Sequence, residues 1–400
     1  EQDAICGALD IIAENVSDNA KYRKEIKRIC YREGLIVTKA AKEDEKSNYE
    51  MYYDYSEVVS RIPSHRILAI NRGEKEKILT VNIDFNEEEV YAYLNKKIIK
   101  DSTSFVVKVV EDAIKDSCKR LIFPSIEREI RSELTEKADK LAIETFGVNL
   151  EHLLLTRPIK GMVVLGFDPG YVNGCKLAVV DKNGCYLDSC VIKPFLKNAS
   201  EAALVGSKII VKNLIEKYNV DIISIGNGTA SRESEAFIAK LIQEHHLNVE
   251  FAIISEAGAS VYSASQIAKE EFPDYHVEER SAVSIARRLQ DPLAELVKIE
   301  PKAISVGQYQ HDIPEKDLEE QLDFVVEKTV NNVGVDINTA SKSLLKYVAG
   351  LNAGVAQQIV LYRNEHGKFH NRNEIKNVKK LGAKTYTQAI GFLRILDGDH

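Results

Sequence analysis

Four hundred residues with 44% hydrophobic and 29% charged content describe a folded chain with core material for about two to four domains. No apolar run approaches the roughly 18 residues a membrane span needs, and the opening Glu-Gln-Asp-Ala-Ile-Cys is no signal peptide, so a membrane partner is excluded and a cytoplasmic location is expected. The net charge of −7 is unevenly spread: residues 331–400 hold ten Lys and Arg against five acids, about +5, which leaves about −12 for the first 330 residues.

Residues 1–50 read as polar and helical, and the missing initiator Met suggests a trimmed piece of a longer chain. In Ser60–Gly73, Ser64 can cap a short helix and Gly73 can end it. His65, Arg66 and Arg72 then lie on a helix, with surface or inter-domain ion pairing as their expected role. Leu79–Ile83 alternates like a strand. Residues 87–157 look almost wholly helical; Pro124 fits the first turn of a long scaffold helix that runs to about Phe146 and stops at Gly147.

The pattern changes at Pro158-Ile-Lys-Gly161. Met162–Asp168, Cys175–Asp181 and Gly184–Ile192 read as three strands, the last two joined by a Lys182-Asn-Gly184 hairpin turn. A helix over 200–218, a strand over 221–226, a helix over 232–245, a strand over 249–254 and a helix over 258–270 follow, closed by a helix around Val283–Gln290. Three antiparallel strands and then alternating helix and strand is the order of an RNase H-like α/β domain. Residues 297–314 read as a linker, and Asp312 with Pro314 can start a helix over 315–330. The six cysteines form no Cys-x-x-Cys pair; Cys175, Cys185 and Cys190 sit in strand-like runs and are expected as buried thiols.

From Val330 onward two similar units follow, Tyr347–Ile359 and Val378–Ile390. Each reads as a helix end, a tight turn near Gly350 or Gly382, and a second helix, the plan of a tandem helix-hairpin-helix domain. Such a turn exposes N–H groups at a helix N-terminus, and these donate to phosphate oxygens. The expected contacts are Gly350, Leu351, Asn352 and Ala353 in the first unit. In the second they are Lys379, Lys380, Leu381, Gly382 and Lys384, whose lysines add salt-dependent attraction. Helical hairpins also serve as protein-docking modules, so that reading stands beside the nucleic-acid one.

A second constellation is acidic. Asp168 ends the first strand of the α/β domain, Glu256 follows another strand, and Asp291 follows the closing helix. If they converge, their hard oxygens suit Mg²⁺ or Mn²⁺, and two such ions could activate water against a phosphodiester. The plainer alternatives are an Asp-Pro-Gly turn for Asp168 and helix-start or turn roles for Glu256 and Asp291. Gly226-Asn-Gly-Thr-Ala-Ser231 offers free amides to an anion but lacks a P-loop's Lys, so Thr229 or Ser231 is expected to cap a helix there.

Together these segments resemble the Tex family of bacterial transcription accessory proteins. The resemblance rests on Ile62–Glu74, Gly226–Glu235, Glu256–Ala264, Ser284–Leu296 and Val306–Asp312, and it spans nearly the whole chain. It implies a multidomain, mostly α architecture with one α/β domain. Residues 1–160 would be a helical region with a helix-turn-helix-like part, 161–296 a YqgF/RuvC-like RNase H fold, 297–330 a linker and helix, and 331–400 the tandem helix-hairpin-helix domain. A C-terminal OB-fold RNA-binding domain, which family members carry, is not in this stretch. Two departures stand out. Gly350-Leu-Asn352 and Lys380-Leu-Gly382 replace the usual Gly-apolar-Gly turns, and Ile225-Gly-Asn-Gly228 lacks an acid that RuvC resolvases place there. The resemblance implies a binder of RNA or DNA that works with RNA polymerase or another transcription factor and needs no cofactor. A divalent-metal, structure-selective nuclease is the competing expectation, with a protein-docking scaffold as a third.

Overall fold

A computed structural model describes residues 2–42, 46–196, 201–396 and 398. They form two compact units, and no described helix is long and apolar enough to cross a membrane.

The first unit comprises residues 1–145 and 311–314, so the expected boundary near 160 falls instead within a long helix. It opens with helices α1 (Gln2–Asp18) and α2 (Ala20–Glu33), and the Asn19 side chain caps α2 by accepting from the Lys21 and Tyr22 amides. Strands β1 (Leu35–Ala40) and β2 (Asp54–Val58) follow where a helical region was expected. Helix α3 spans Ser64–Lys75, and β3 (Leu79–Asp84) pairs antiparallel with β1 in the order β2-β1-β3. Ser64 does not cap α3, because Pro63 holds the cap position without a side-chain bond. Gly73 does not end it either. A Cβ there would lie 2.6 Å from Leu79 Cδ1, so the residue is small because β3 packs against it; Lys77, at φ +61°, makes the turn. Arg66 pairs with Glu57 at 2.8 Å and Arg72 with Asp312, both within this unit.

Helices α4 (Glu87–Ile98) and α5 (Val107–Asp116) lead through a π-helical turn, Ser117–Ile122, into α6 (Phe123–Leu154). The wide turn has a local cause. Pro124 has no N–H to donate to the preceding turn, and the Phe123 amide reaches back five residues to the Cys118 carbonyl. Cys118, Ile122, Ile126 and Ile130 are buried along this stretch.

The second unit comprises residues 146–310 and 315–400. Strands β4 (Val164–Asp168), β5 (Cys175–Val180) and β6 (Tyr186–Ile192) are antiparallel neighbours. The Asp181 carboxylate fixes their hairpin by accepting from the Asn183 and Cys185 amides, each at 2.8 Å. Helix α7 (Glu201–Tyr218), β7 (Ile222–Gly226), α8 (Ser231–His245) and β8 (Glu250–Ile254) follow; Ser200, the expected first residue of α7, lies outside the described residues. The strand order is β6-β5-β4-β7-β8, with β4, β7 and β8 parallel, as the element order led us to expect. The expected helix over 258–270 breaks at Ser265 into α9 (Ala259–Ala264) and α10 (Gln266–Glu271), since the Ser265 side chain caps the second piece. The closing helix α11 (Val277–Gln290) is longer than expected and leads into α12 (Pro292–Leu296).

Alternation along the strands builds two cores. Leu165, Phe167, Val179, Ile223 and Ile225 face Val211, Phe237 and Ile238 of α7 and α8. On the opposite face Val164, Ala178, Val180 and Ile222 meet Ala282, Val283, Ala286 and Leu289 of α11. Gly166 lets α11 come close, because a Cβ there would sit 2.1 Å from the Ala282 carbonyl oxygen. The thiols follow this layering. Burial pushes Cys175 and Cys190 up to about 11, whereas Cys185 is exposed in the hairpin, against expectation.

Residues 297–310 are no open linker. Val297, Ile299 and Ile304 are buried, and the Gln310 side chain donates to the Lys302 and Ile304 carbonyls and accepts from the Val306 amide. Helix α13 (Glu315–Val333) follows, and it explains why α6 does not stop at Gly147. A Cβ there would lie 3.2 Å from both Gln321 and Val325 of α13, so the glycine serves helix packing and not helix termination. Beyond it, β9 (Val335–Asp336) pairs in parallel with β10 (Leu393–Arg394), tying together the ends of a small domain. That domain contains α14 (Lys342–Leu345), α15 (Ala353–His366), a 3₁₀ turn (Glu374–Asn377) and α16 (Ala383–Ala389).

Candidate nucleic-acid interface and the acidic cleft

The two turns of the C-terminal domain share one backbone. Gly350 has φ +84° and Lys380 has φ +66° at the matching position. The next amides close the same bond: Leu351 donates to the Val348 carbonyl at 2.9 Å, and Leu381 to the Val378 carbonyl at 3.2 Å. Val348 and Val378 are buried, Leu351 is buried and Leu381 half-buried, so each turn hangs from the domain core by two apolar anchors. Lys380 thus takes the left-handed conformation that a non-glycine residue adopts at a cost of roughly 1–2 kcal/mol. The departure from Gly-apolar-Gly leaves the turn's shape intact.

Each turn starts a helix, and helix starts leave amides without intrahelical partners. At α15 the Asn352 side chain takes one of them, accepting from the Val355 amide at 2.9 Å. The Ala353 and Gly354 amides donate to no described group. At α16 the cap residue is Gly382, which has no side chain to offer, so the amides of Ala383, Lys384 and Thr385 all lack a described acceptor. Gly350, Asn352, Ala353, Lys379, Lys380, Gly382 and Lys384 are exposed, and the three lysines form no ion pair with a described residue. The second turn is therefore the more open anion cradle. The first is wedged against α16, where a Cβ on Gly350 would lie 2.7 Å from Gln388 Cβ.

One positioning residue left no motif in the sequence. Asn331 of α13 donates to the Glu327 and Tyr347 carbonyls and accepts from the Ala349 amide at 2.9 Å, which pins the first turn. Asn338 does the same for the stretch after α15, with two bonds to the Phe369 backbone.

The acidic residues are arranged differently from expectation. Asp168 and Glu256 line one cleft of about 230 Å³ together with Lys176, Ser260, Ser263, Glu278 and Ser281. Asp168 accepts from the Ser281 hydroxyl at 2.8 Å, because α11 lies across β4 and brings its first turns over the strand's end. Asp291 is not there. It follows the far end of α11, ten residues and so roughly 15 Å along the helix from Ser281. Its carboxylate caps α12 at the Ala294 amide and lies 3.8 Å from Lys160. Among the described residues no three His, Cys, Asp or Glu side chains are grouped to hold a metal ion.

Glu256 is held by the glycine loop after β7. A Cβ on Gly226 or Gly228 would collide with its carboxylate, at 2.5 and 1.6 Å, and the Asn227 side chain accepts from its amide. The anion in that loop is the protein's own side chain; neither Thr229 nor Ser231 caps α8, whose cap is Ala230. Burial raises the Glu256 carboxyl above its ordinary range and the Asp168 charge adds to this, while the Gly228 amide, Arg288 and Lys176 pull it back. Arg288 is buried beneath the loop and donates to the Ser255 and Ala257 carbonyls, and burial pushes it down to about 10. Lys176 and Glu278 are charged cleft residues that sequence reasoning missed, as is Arg288 behind the Glu256 loop.

Comparison with known proteins agrees with this division. Residues 1–146 match a model described as Tex central region-like, 162–290 a Tex protein YqgF-like domain, and 330–394 a helix-hairpin-helix motif. The uncharacterized protein YdcI of Bacillus subtilis is 53% identical over 99% of this chain and 55% of its own length. The transcriptional accessory protein Tex of Neisseria gonorrhoeae is 42% identical over 99% and 52%. The human S1 RNA-binding domain-containing protein 1 is 40% identical over 98% and 41%. The chain spans about half the length of the curated relatives it matches, or less. On these three domains and these identities, the chain belongs to the Tex family.

Proposed function

We propose that this chain grips a sugar–phosphate strand through its paired helical turns, with little base preference, as part of a cytoplasmic transcription accessory protein. The observation that carries the proposal is the pair of matching turns, each with a left-handed residue and amides without a described acceptor at a helix start, with lysines beside the second that pair with no described acid. The strand is RNA or DNA; the human relative's name speaks of an S1 RNA-binding domain. The name of the Neisseria relative, a transcriptional accessory protein, supports a place beside the transcription machinery, with RNA polymerase or another transcription factor as the partner of this reading.

The RNase H-like domain serves this reading as a scaffold and not as a nuclease. Asp291 is away from Asp168 and Glu256, capping another helix, and Asp168 already has Lys176 at 3.7 Å. Titrating labelled RNA, single-stranded DNA and duplex DNA of unrelated sequences at two salt concentrations tests the proposal. Comparable affinities across sequences that fall steeply with salt support it, and binding that is absent or indifferent to salt overturns it. Product from branched or linear substrates with Mg²⁺ or Mn²⁺, lost in Asp168→Asn, would restore the nuclease reading.

A further inference from the structure

We infer that Lys176 is a built-in counter-ion that keeps the Asp168–Glu256 cleft free of divalent metal. Strand register puts it there. Lys176 on β5 is the direct antiparallel partner of Asp168 on β4, so the two side chains leave the same face of the sheet. Lys176 Nζ lies 3.7 Å from Asp168 Oδ2, and both side chains are largely buried. Beside them β7 brings Gly226 to the same level, and β8 delivers Glu256 two residues beyond its end. Arg288, buried under the Glu256 loop, lies outside the cleft lining and has the buried Glu295 as its strongest acidic neighbour, ahead of Glu256 and Asp168, so Lys176 is the one cation lining the cleft among the described residues. The Asp168 carboxylate therefore already has a fixed ammonium beside it, and a divalent ion bound to that carboxylate would face the Lys176 charge at close range. Ser281 further occupies Asp168 from the side of α11. The remaining acid at the cleft, Glu278, is exposed in the first turn of α11, a further ligand that becomes useful only if Lys176 is removed. An RNase H-like sheet thus keeps the strand-end acid but sets a lysine opposite it.

The test uses the full chain without nucleic acid, so it is decided separately from the hairpin reading. Manganese is titrated and free Mn²⁺ is followed by its paramagnetic resonance signal. The wild type should show no saturable binding that Asp168→Asn removes. Lys176→Gln should bind Mn²⁺ at least about tenfold more tightly, since a unit charge a few ångströms from the ion has gone. Asp168→Asn in that background should abolish the gain, and Lys176→Arg, which keeps the charge, should behave like the wild type. Wild-type binding that Asp168→Asn abolishes overturns the inference. So does a folded Lys176→Gln chain that gains nothing. If Lys176→Gln does not fold, wild type, Asp168→Asn and Lys176→Arg still decide it, because tight Mn²⁺ binding by either charged form contradicts a lysine that excludes metal.

Discussion

Replacing Lys379, Lys380 and Lys384 together by Gln removes three positive charges from the second turn while leaving its backbone alone. All three are exposed and make no ion pair with a described residue, so stability should shift by no more than about 0.5 kcal/mol per site. Gln at 380 keeps a long side chain on the same left-handed residue, so the amides of Ala383, Lys384 and Thr385 stay in place. Each lysine that neutralises a phosphate contributes about 0.9 to the slope of log affinity against log salt on duplex DNA, and about 0.7 on single strands. Loss of three contacts should flatten the slope by about 2.7 or 2.1. Between 50 and 200 mM salt that is a roughly 20- to 40-fold smaller fall in affinity than the wild type shows. Fluorescence anisotropy with labelled duplex and single strands at several salt concentrations reads this directly, with thermal melting as the control for folding. Parallel salt plots for the two proteins would refute the reasoning and move the binding site elsewhere.

Three further outcomes follow from individual residues. Gly350→Ala puts a Cβ on a residue at φ +84° and within 2.7 Å of Gln388 Cβ, which should cost about 2–4 kcal/mol from backbone strain and overpacking; a urea midpoint equal to the wild type's would contradict this. Asn331→Ala removes the two hydrogen bonds that pin the first turn, to the Tyr347 carbonyl and from the Ala349 amide, and should destabilise by about 2–3 kcal/mol and weaken nucleic-acid binding, both measurable on one preparation. Because burial raises the Glu256 carboxyl, the folded state holds its proton more tightly than the unfolded state does. That contribution to stability is present below the ordinary carboxyl range and is lost as pH rises through the raised folded value. Glu256→Gln should therefore gain on the wild type in denaturation curves over that pH window, and a constant difference across it would mean that Glu256 does not titrate as described.

The tandem turns and the strand order of the α/β domain were legible in the sequence because both are local patterns. Repeated turn chemistry marks the first, and apolar runs separated by Gly, Asn and Asp mark the second. Other features answer to contacts that no local pattern shows. Gly73 and Gly147 look like helix stops but are small because β3 and α13 press on them. Strand β1 is a six-residue stretch following a polar helix, and its place in the middle of a sheet depends on partners 15 and more residues away. Asp291 ends α11 as expected, yet the length and direction of that helix carry it away from Asp168. Lys176 would have been found by pairing the first two strands residue by residue, since the hairpin register sets it opposite Asp168.

The most direct test of the binding mode is a crystal structure of the chain with a short oligonucleotide of mixed sequence. Phosphate oxygens should lie within hydrogen-bond reach of the Ala383 and Lys384 amides, and of the Ala353 and Gly354 amides at the first turn, with bases pointing away from both. A complex in which the strand lies elsewhere and these amides face only solvent would contradict it.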